Sequence, residues 1–375
     1  MVYDVIVSGL GPAGMAFLKS ISGTGLKILA LERETFPKKK PCAGGITEKA
    51  YKLLDFLFPG IESTFRVSSN RIEFYYKRKM VELKTPFAKT YFTKREDFDY
   101  FLFDSLPHEE FEIHTGEATL DVEKLRDQLV IVKTNKATYK CKVLIVSEGV
   151  NSKTAAKFKL KRDIGFTYET EIDRDIEERV IIDFSRVSWG YYWAFPKGGF
   201  TTTGVGEFRS KKVIKDIKKV LLYLNSKHGF GLSKITWERG FPIPAGKRKN
   251  DVYRDRILFL GDSGGLVDPL TGEGIYYAIR SGIIAADVVE SAFTEGDFSK
   301  LPNYKKKIDK ELGEEFFWAR IVGSFFFPFK RMNVFLLGRS PKLGLLAANL
   351  LTGEITYKEA FFKYLKYLPL APFGV

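Results

Sequence analysis

The sequence predicts an α/β chain. A mostly parallel sheet, discontinuous in sequence, is interrupted by an inserted, mostly antiparallel sheet and followed by a helical C-terminal region. Three observations predict this. Residues 3–21, YDVIVSGLGPAGMAFLKSI, read as strand, glycine turn and helix. Residues 257–275, ILFLGDSGGLVDPLTGEGI, repeat that plan far along the chain. Between them RVIIDF, YYWAFP and FTTTGVGEF read as strands with glycine-rich punctuation.

In the first unit Val5, Ile6 and Val7 make a short buried strand, and Gly9, Gly11 and Gly14 supply G-x-G-x-x-G. Ala16, Phe17 and Leu18 open the helix, and LKILALERE returns as a strand with Glu32 at its end. This is the dinucleotide fingerprint of a Rossmann-like domain. The first glycine makes the turn, the second admits a pyrophosphate, and the third lets helix and strand pack closely. Glu32 would accept hydrogen bonds from ribose hydroxyls. The candidate contacts here are Gly9, Gly11, Pro12, Ala13, Gly14, Glu32 and Arg33. The fingerprint alone serves NAD and FAD alike.

The second glycine turn points to FAD, a long cofactor that must be held at both ends. ILFL delivers Gly261 and Asp262, placing a carboxylate where ribityl hydroxyls need an acceptor. Gly272, Gly274 and Ile275 let the backbone approach the ring. The segment from Glu273 to Ser291 predicts a helix, with Ile275, Ala278, Ile279, Ile283, Ala286 and Val289 on one side. Its N-terminus faces the flavin edge where negative charge collects on reduction.

At this point the chain resembles a known family. FLGDSGGLVDPLTGEGIYYAIRSG resembles the G-D motif of FAD enzymes with the p-hydroxybenzoate hydroxylase fold. TKREDFDYFLFDSL (93–106) is similar to their R-x-x-F-D-x-x-L segment, which implies that Arg95 sits near the FAD. VLIVSEGVNSKTA (143–155) is similar to the D-G-x-x-S segment around Gly149, with Glu148 where the family has Asp. Two further stretches resemble a narrower group, the geranylgeranyl reductases. They are PCAGGITEKA (41–50), with its C-x-G-G loop, and GYYWAFPKGG (190–199), with Y-x-W-x-F-P. The fuller family motif has a proline where this chain has Ser188.

The resemblance implies that Cys42, Ala43 and Gly44 border the flavin. It implies that Gly44, Gly45, Tyr191, Trp193 and Phe195 wall an apolar substrate pocket. Those three aromatics alternate, so they share one strand face; read without the resemblance, they equally suit a sheet face packed on a helix. Cys42 likewise reads either as a small buried residue or as a side chain at the flavin's reactive face. Cys42 and Tyr191 are the catalytic candidates for supplying the proton that accompanies hydride transfer, with a flavin-bound proton or a water as the alternative source. Asp268 is either a ligand-side acid or a turn residue before Pro269. Lys38, Lys39 and Lys40 read as a solvated turn that could also meet a substrate phosphate.

The expected domains are an FAD-binding domain (1–60, 93–160 and 251–298), a substrate domain (61–92 and 161–250) and a helical region (299–375). RIEFYYKRKMVELKT (71–85) alternates like a hairpin, and Lys211 to Lys227 is an amphipathic helix carrying Val213, Ile214, Ile217, Val220, Leu221 and Leu224. GSFFFPFKRMNVFLLG (323–338) and the ending YLKYLPLAPFGV are helical core or, with Lys330 and Arg331, a membrane-docking surface.

The chain has 60 Lys+Arg against 46 Asp+Glu, a net charge of +14. The charge is spread out, and no nucleic-acid motif accompanies it. An anionic lipid or soluble ligand fits better than DNA. Two cysteines, Cys42 and Cys141, imply a reducing compartment. They form no metal pattern with His108, His114 and His228, which read as surface residues. Glutamine occurs only at Gln128 while Lys and Glu abound, a hyperthermophile bias. The first strand begins at once and no long apolar stretch occurs. The expected protein is therefore a cytoplasmic monomer without a membrane-spanning helix, yet able to touch the inner membrane surface. The expected activity is saturation of geranylgeranyl chains by reduced FAD in archaeal lipid synthesis. An aromatic monooxygenase or halogenase of the same fold and a reductase of a quinone's prenyl tail are the alternatives. NAD(P)H or a ferredoxin-like protein would supply the electrons.

Overall fold

Val5, Ile6 and Val7 are fully buried in the strand Val2–Ser8. It pairs in parallel on both sides, with Ile28–Glu32 and with Thr138–Val146. A strand covered on both faces reads as an unbroken apolar run, which is why this element is legible. The computed structural model describes residues 1–85, 88–124, 128–208 and 216–371. The parallel part of its first sheet runs Ile257–Phe259, Thr138–Val146, Val2–Ser8, Ile28–Glu32, Glu112–Thr115, and Tyr253–Arg254, Val130–Thr134 and Thr119–Lys124 are added antiparallel. Both glycine turns leave the carboxyl ends of strands in this sheet, where open α/β sheets place their ligands.

The two glycine turns meet through their helices. Pro12–Ile21 packs on Ile275–Thr294. A Cβ on Gly282 would stand 2.5 Å from the Ala13 carbonyl oxygen and 2.9 Å from the Phe17 amide. The second helix starts at Ile275 and ends at Thr294, later at both ends than the sequence predicts. Of its expected stripe, Ile275, Ala278, Ile279, Ala286 and Val289 are buried; so are Tyr277, Ser281, Gly282 and Ala285. Covering on several sides widens the buried surface beyond one stripe.

The insert is a second sheet, ordered Ile235–Ala245, Asp163–Ile172, Thr201–Glu207, Gly190–Pro196, Ile181–Asp183, Arg71–Tyr76, Lys79–Lys84. Its pairs are antiparallel except Ile181–Asp183 with Arg71–Tyr76. The 71–85 hairpin turns at Lys77 and Arg78, with Lys77 at φ +56°. The strand Gly190–Pro196 divides its side chains. Tyr192 and Ala194 join a core with Leu221 and Leu224 of the helix Ile217–Lys227. Tyr191, Trp193 and Phe195 face the other way, toward Phe74, Phe327 and Val334. Val213 and Ile214 of the expected amphipathic helix lie outside the described residues.

A small antiparallel sheet, Gly45–Thr47, Thr90–Thr93 and Phe65–Ser69, joins the two larger ones. The C-terminal helices are Asn303–Phe326, Lys330–Arg339, Pro341–Thr352 and Tyr357–Tyr367. The apolar segment 323–338 divides its side chains: Phe327, Val334 and Leu336 are buried in the core, while Phe325, Phe329, Met332 and Phe335 are exposed. Lys330 does not join that surface, because its ammonium donates to the Val187 carbonyl. The last four residues of the expected apolar ending, 372–375, lie outside the described residues.

One histidine corrects the sequence reading. The His228 ring is buried rather than exposed, stacked on Tyr192 at 5.3 Å between centroids, with Nε2 2.9 Å from the buried Asp183. Gly282→Ala should cost about 1–3 kcal/mol through overpacking of the two helices, read as a lower urea midpoint with an unchanged slope.

Candidate active site

The first turn divides its work among three glycines. Gly9 takes φ +98°, and a Cβ there would lie 2.5 Å from the Ser147 carbonyl oxygen. A Cβ on Gly14 would lie 2.2 Å from the Gly9 carbonyl oxygen, so this glycine permits the close packing of turn and helix. Gly11 differs: nothing lies within 4 Å of its added Cβ. That open side is a cradle for a ligand. The helix beginning at Pro12 has no side-chain cap, so its first amides remain available to an anion. Glu148 ties this turn to the neighbouring loop, accepting from Ser8 Oγ at 2.8 Å and from Ser152 Oγ and Thr154 Oγ1, each at 2.6 Å. The longer carboxylate thus braces the turn from behind.

Glu32 Oε2 accepts from the Leu10 amide at 2.8 Å and from Lys38 at 2.6 Å. Its Oε1 accepts from the Glu34 amide at 3.1 Å, which leaves lone-pair capacity for a ribose hydroxyl. The lysine run is not a solvated turn. Lys38 is nearly buried and also donates to the Leu10 carbonyl at 2.9 Å. Burial lowers its pKa against the pull of Glu32. Lys39 pairs with Glu171 at 3.0 Å, and Lys40 stands 3.9 Å from Asp262. Each carboxylate recruits one lysine, which the sequence alone does not reveal.

The second turn brings Gly261, at φ +50°, against the first helix; its Cβ would lie 3.3 Å from the Cβ atoms of both Ala13 and Ala278. The Asp262 carboxylate is partly exposed. Gly272 takes φ +71°, and Gly274 begins the helix without a side-chain cap. Glu273 is not helical. It accepts from Thr47 Oγ1 at 2.7 Å, and burial raises its pKa. Asp268 organises the loop: its Oδ1 accepts from the Leu270 and Thr271 amides at 2.7 and 2.9 Å. Its Oδ2 accepts from Tyr357 at 2.7 Å and Tyr277 at 3.2 Å.

From this loop a cavity of about 400 Å³ runs under the inserted sheet to the C-terminal helices. Of the predicted residues it gathers Pro12, Cys42, Ala43, Gly44, Gly45, Arg95, Tyr191, Trp193, Phe195, Asp262, Gly272, Gly274 and Ile275. Its far walls are apolar, among them Phe74, Ile182, Phe184, Phe326, Leu346, Leu350 and Phe361. Gly9, Gly11, Ala13, Gly14, Glu32, Gly149 and Gly261 stand outside that lining, in or beside the two turns. Arg33 is further away, exposed and paired with Glu34 at 3.0 Å.

Tyr191 donates its hydroxyl proton to the Thr271 carbonyl, and burial raises its pKa. A phenol so held is a poorer acid than a free one. The Trp193 ring lies against Gly204, where a Cβ would be 2.1 Å away, and its buried Nε1 has no partner among the described residues. Cys42 Sγ accepts from the Gly44 amide at 3.4 Å. Arg95 is buried and holds Asp99 in a two-bond pair at 2.9 and 2.7 Å. Burial works against its charge, but Asp99 and Cys42 more than offset this and raise its pKa. Cys141 is buried in the first sheet, where burial pushes its thiol pKa up.

Two buried charged residues beside the Cys42 loop escape the sequence reading: Glu169, which lines the cavity, and Lys197, which holds the Ala43 carbonyl. Lys197 directly follows the Y-x-W-x-F-P motif and so had a positional signal. Glu169 had none beyond being an acid inside a strand pattern.

No family model matches the chain. It is 29% identical to the digeranylgeranylglycerophospholipid reductase of Methanocaldococcus jannaschii, over 82% of each chain. It is 27% identical to the geranylgeranyl diphosphate reductase of Rhodobacter capsulatus, over 86% of this chain and 84% of that one. A geranylgeranyl bacteriochlorophyll reductase-like protein of Thermoplasma acidophilum superposes with a TM-score of 0.82 at 21% identity, covering 97% of this chain and 99% of its own. The flavin-dependent brominase Bmp2 superposes at 0.77 with 17% identity, covering 98% of this chain and 100% of its own. The chain is a homologue of the geranylgeranyl reductases, built on a fold that they share with flavin-dependent halogenases.

Proposed function

We propose that this protein binds FAD across its two glycine turns and saturates carbon–carbon double bonds of geranylgeranyl chains carried by a lipid. The observation that carries the reading is one cavity joining a flavin-type cradle to a long apolar chamber. A prenyl chain offers no hydrogen bonds, so aromatic and aliphatic walls are what bind it. The halogenases and monooxygenases share the fold, but the sequence relatives are reductases.

The residues present fit FAD. Gly11 leaves the cradle that a Cβ would fill, Glu32 and Asp262 would supply acceptors at opposite ends, and two helix starts without side-chain caps would offer their amides. Reduced FAD held there would supply the hydride for one alkene carbon. Tyr191, fixed by the Thr271 carbonyl, and Trp193, pressed on Gly204, form rigid walls that orient the chain. The buried aromatics exclude water, so that positioning dominates. Cys42, beside Arg95, borders the same space. Electrons come from NAD(P)H or a ferredoxin-like protein, and the net charge of +14 suits an acidic protein donor.

The C-terminal helices supply the entry. Phe325 and Phe361 line the cavity and touch each other at 5.3 Å, yet Phe325 is exposed. Around them Phe329, Met332, Phe335, Phe362 and Leu365 are exposed, with Arg331, Lys363 and Lys366 also exposed. No single helix among the described residues is long and apolar enough to cross a membrane; Lys330–Arg339 and Pro341–Thr352 qualify only as a pair bent by 111°. This arrangement suits a monomer resting on an anionic bilayer.

Chemically reduced protein, incubated without oxygen with a geranylgeranyl glycerophospholipid, should add pairs of hydrogens detectable by mass spectrometry. An intact flavoprotein that adds none, or forms product only with oxygen, defeats the reading. Gly11→Val should fold within about 0.5 kcal/mol of the parent, because its side chain meets open space. It should nevertheless lose FAD affinity by about 100-fold, the scale of ~3 kcal/mol, measured by flavin fluorescence. Phe329→Asp with Phe335→Asp should reduce sedimentation with anionic vesicles while leaving FAD content intact.

A further inference from the structure

Behind the Cys42 loop lies a buried charged cluster that neither the flavin cradle nor the prenyl walls account for. Lys197, only 2% exposed, donates to the carbonyls of Ala43 at 2.6 Å and Thr93 at 2.8 Å. Glu169, 7% exposed, accepts from the Cys42 amide at 3.2 Å. Arg95, paired with Asp99, closes the other side. A buried acid is costly. One backbone amide at 3.2 Å is a small return for it if the carboxylate served only to hold the loop.

The strand Asp163–Ile172 places Thr167, Glu169 and Glu171 in a row on one face. Thr167 lines the main cavity. Glu171 lines a second, smaller cavity of about 20 Å³, the room of about one water. Glu169 lines both. The outer wall of the smaller cavity includes the exposed Lys39, which pairs with Glu171 and lies over Trp237 at 4.8 Å. One face of one strand therefore leads from the surface, through space for a single water, to the reaction chamber, with Glu169 at the crossing.

We propose that Glu169 carries the proton that completes each saturation, taking it from solvent through the small cavity and delivering it into the main one. The inference rests on the reductase reading. The π pair of the alkene takes the Glu169 proton to form one C–H bond. Hydride from the reduced cofactor forms the other on the adjacent carbon. The carboxylate left beside Lys197 and Arg95 regains a proton from bulk solvent, relayed by a water in the small cavity that takes up a solvent proton as it gives one.

The electrostatics agree with this role. Burial raises Glu169 to about 7, against the pull of Lys197, the Cys42 amide and Arg95 and with a push from Glu171. Burial lowers Lys197 to about 8, with Cys42, Glu169 and Glu171 opposing. Lys40, at the mouth, faces Asp262. A group with this value exchanges its proton near neutrality, as general acids require.

Two measurements on the FAD-loaded protein test the proposal, with Glu169→Gln and Glu169→Asp as variants. Infrared titration of the oxidised protein should show a buried carboxyl losing its proton near pH 7, and Glu169→Gln should remove that band. In anaerobic single turnover the parent should slow as the pH rises through about 7, because the protonated form is the donor. Glu169→Gln should be slower by about 100-fold or more and lose that pH limb, and Glu169→Asp should restore part of both. A Gln variant that keeps its flavin, its parental rate and its parental pH profile overturns the proposal, as does an unchanged infrared band. Parent protein that saturates nothing overturns the reductase reading instead, and the infrared band still decides whether Glu169 holds the proton.

Discussion

The close approach of two helices at Gly282 is the constraint on which the site depends. With no side chain between Gly282 and the Ala13 carbonyl, the helices Pro12–Ile21 and Ile275–Thr294 start side by side. Gly261 then sits against Ala13 and Ala278. Two turns separated by most of the chain become the two ends of one cradle. Both helices begin without a side-chain cap, so unsatisfied amides converge on the same space. The cradle is thus made by backbone, and the glycines keep it clear.

The inserted sheet completes the site by using its two faces differently. On the strand Gly190–Pro196 the odd-numbered aromatics wall the chamber. Tyr192 turns away to stack on His228, donating its hydroxyl proton to Asn225 at 3.0 Å. The helix Ile217–Lys227 covers that far face and fixes the strand's height. Gly204 plays the matching part in the neighbouring strand, since a Cβ there would collide with the Trp193 ring. The aromatic wall is therefore held from behind.

Features set by local backbone needs were legible in the sequence; features set by distant partners were not. Gly9, Gly11 and Gly14 announce themselves because each does a job within a few residues of its neighbours. The alternation of Tyr191, Trp193 and Phe195 announces a shared face for the same reason. Lys38 read as solvated because Glu32, its partner, approaches only when the returning strand is in place. His228 read as exposed because Asp183 comes from another strand. Glu273 read as helical, yet Thr47 from a different sheet draws its carboxylate away from the helix start. Glu169 was invisible, since an acid in an alternating strand ordinarily faces water.

Asp268 links the C-terminal helices to the glycine-rich loop. One of its oxygens accepts two amides of the flavin loop, from Leu270 and Thr271; the other accepts Tyr277 of the long helix and Tyr357 at the start of the last helix. A buried carboxylate with four donors is expensive to disturb, because losing one strands the charge with fewer partners. The loop also fixes Tyr191 through the Thr271 carbonyl. The helix Tyr357–Tyr367 carries Phe361 at the cavity and Phe362 at the surface. A displacement of that helix therefore bears directly on Asp268, and through it on the loop after Gly261 and on the aromatic wall. On the proposed reading, substrate entry and the geometry of hydride transfer are coupled through one carboxylate, whose four donors come from the loop and two different helices.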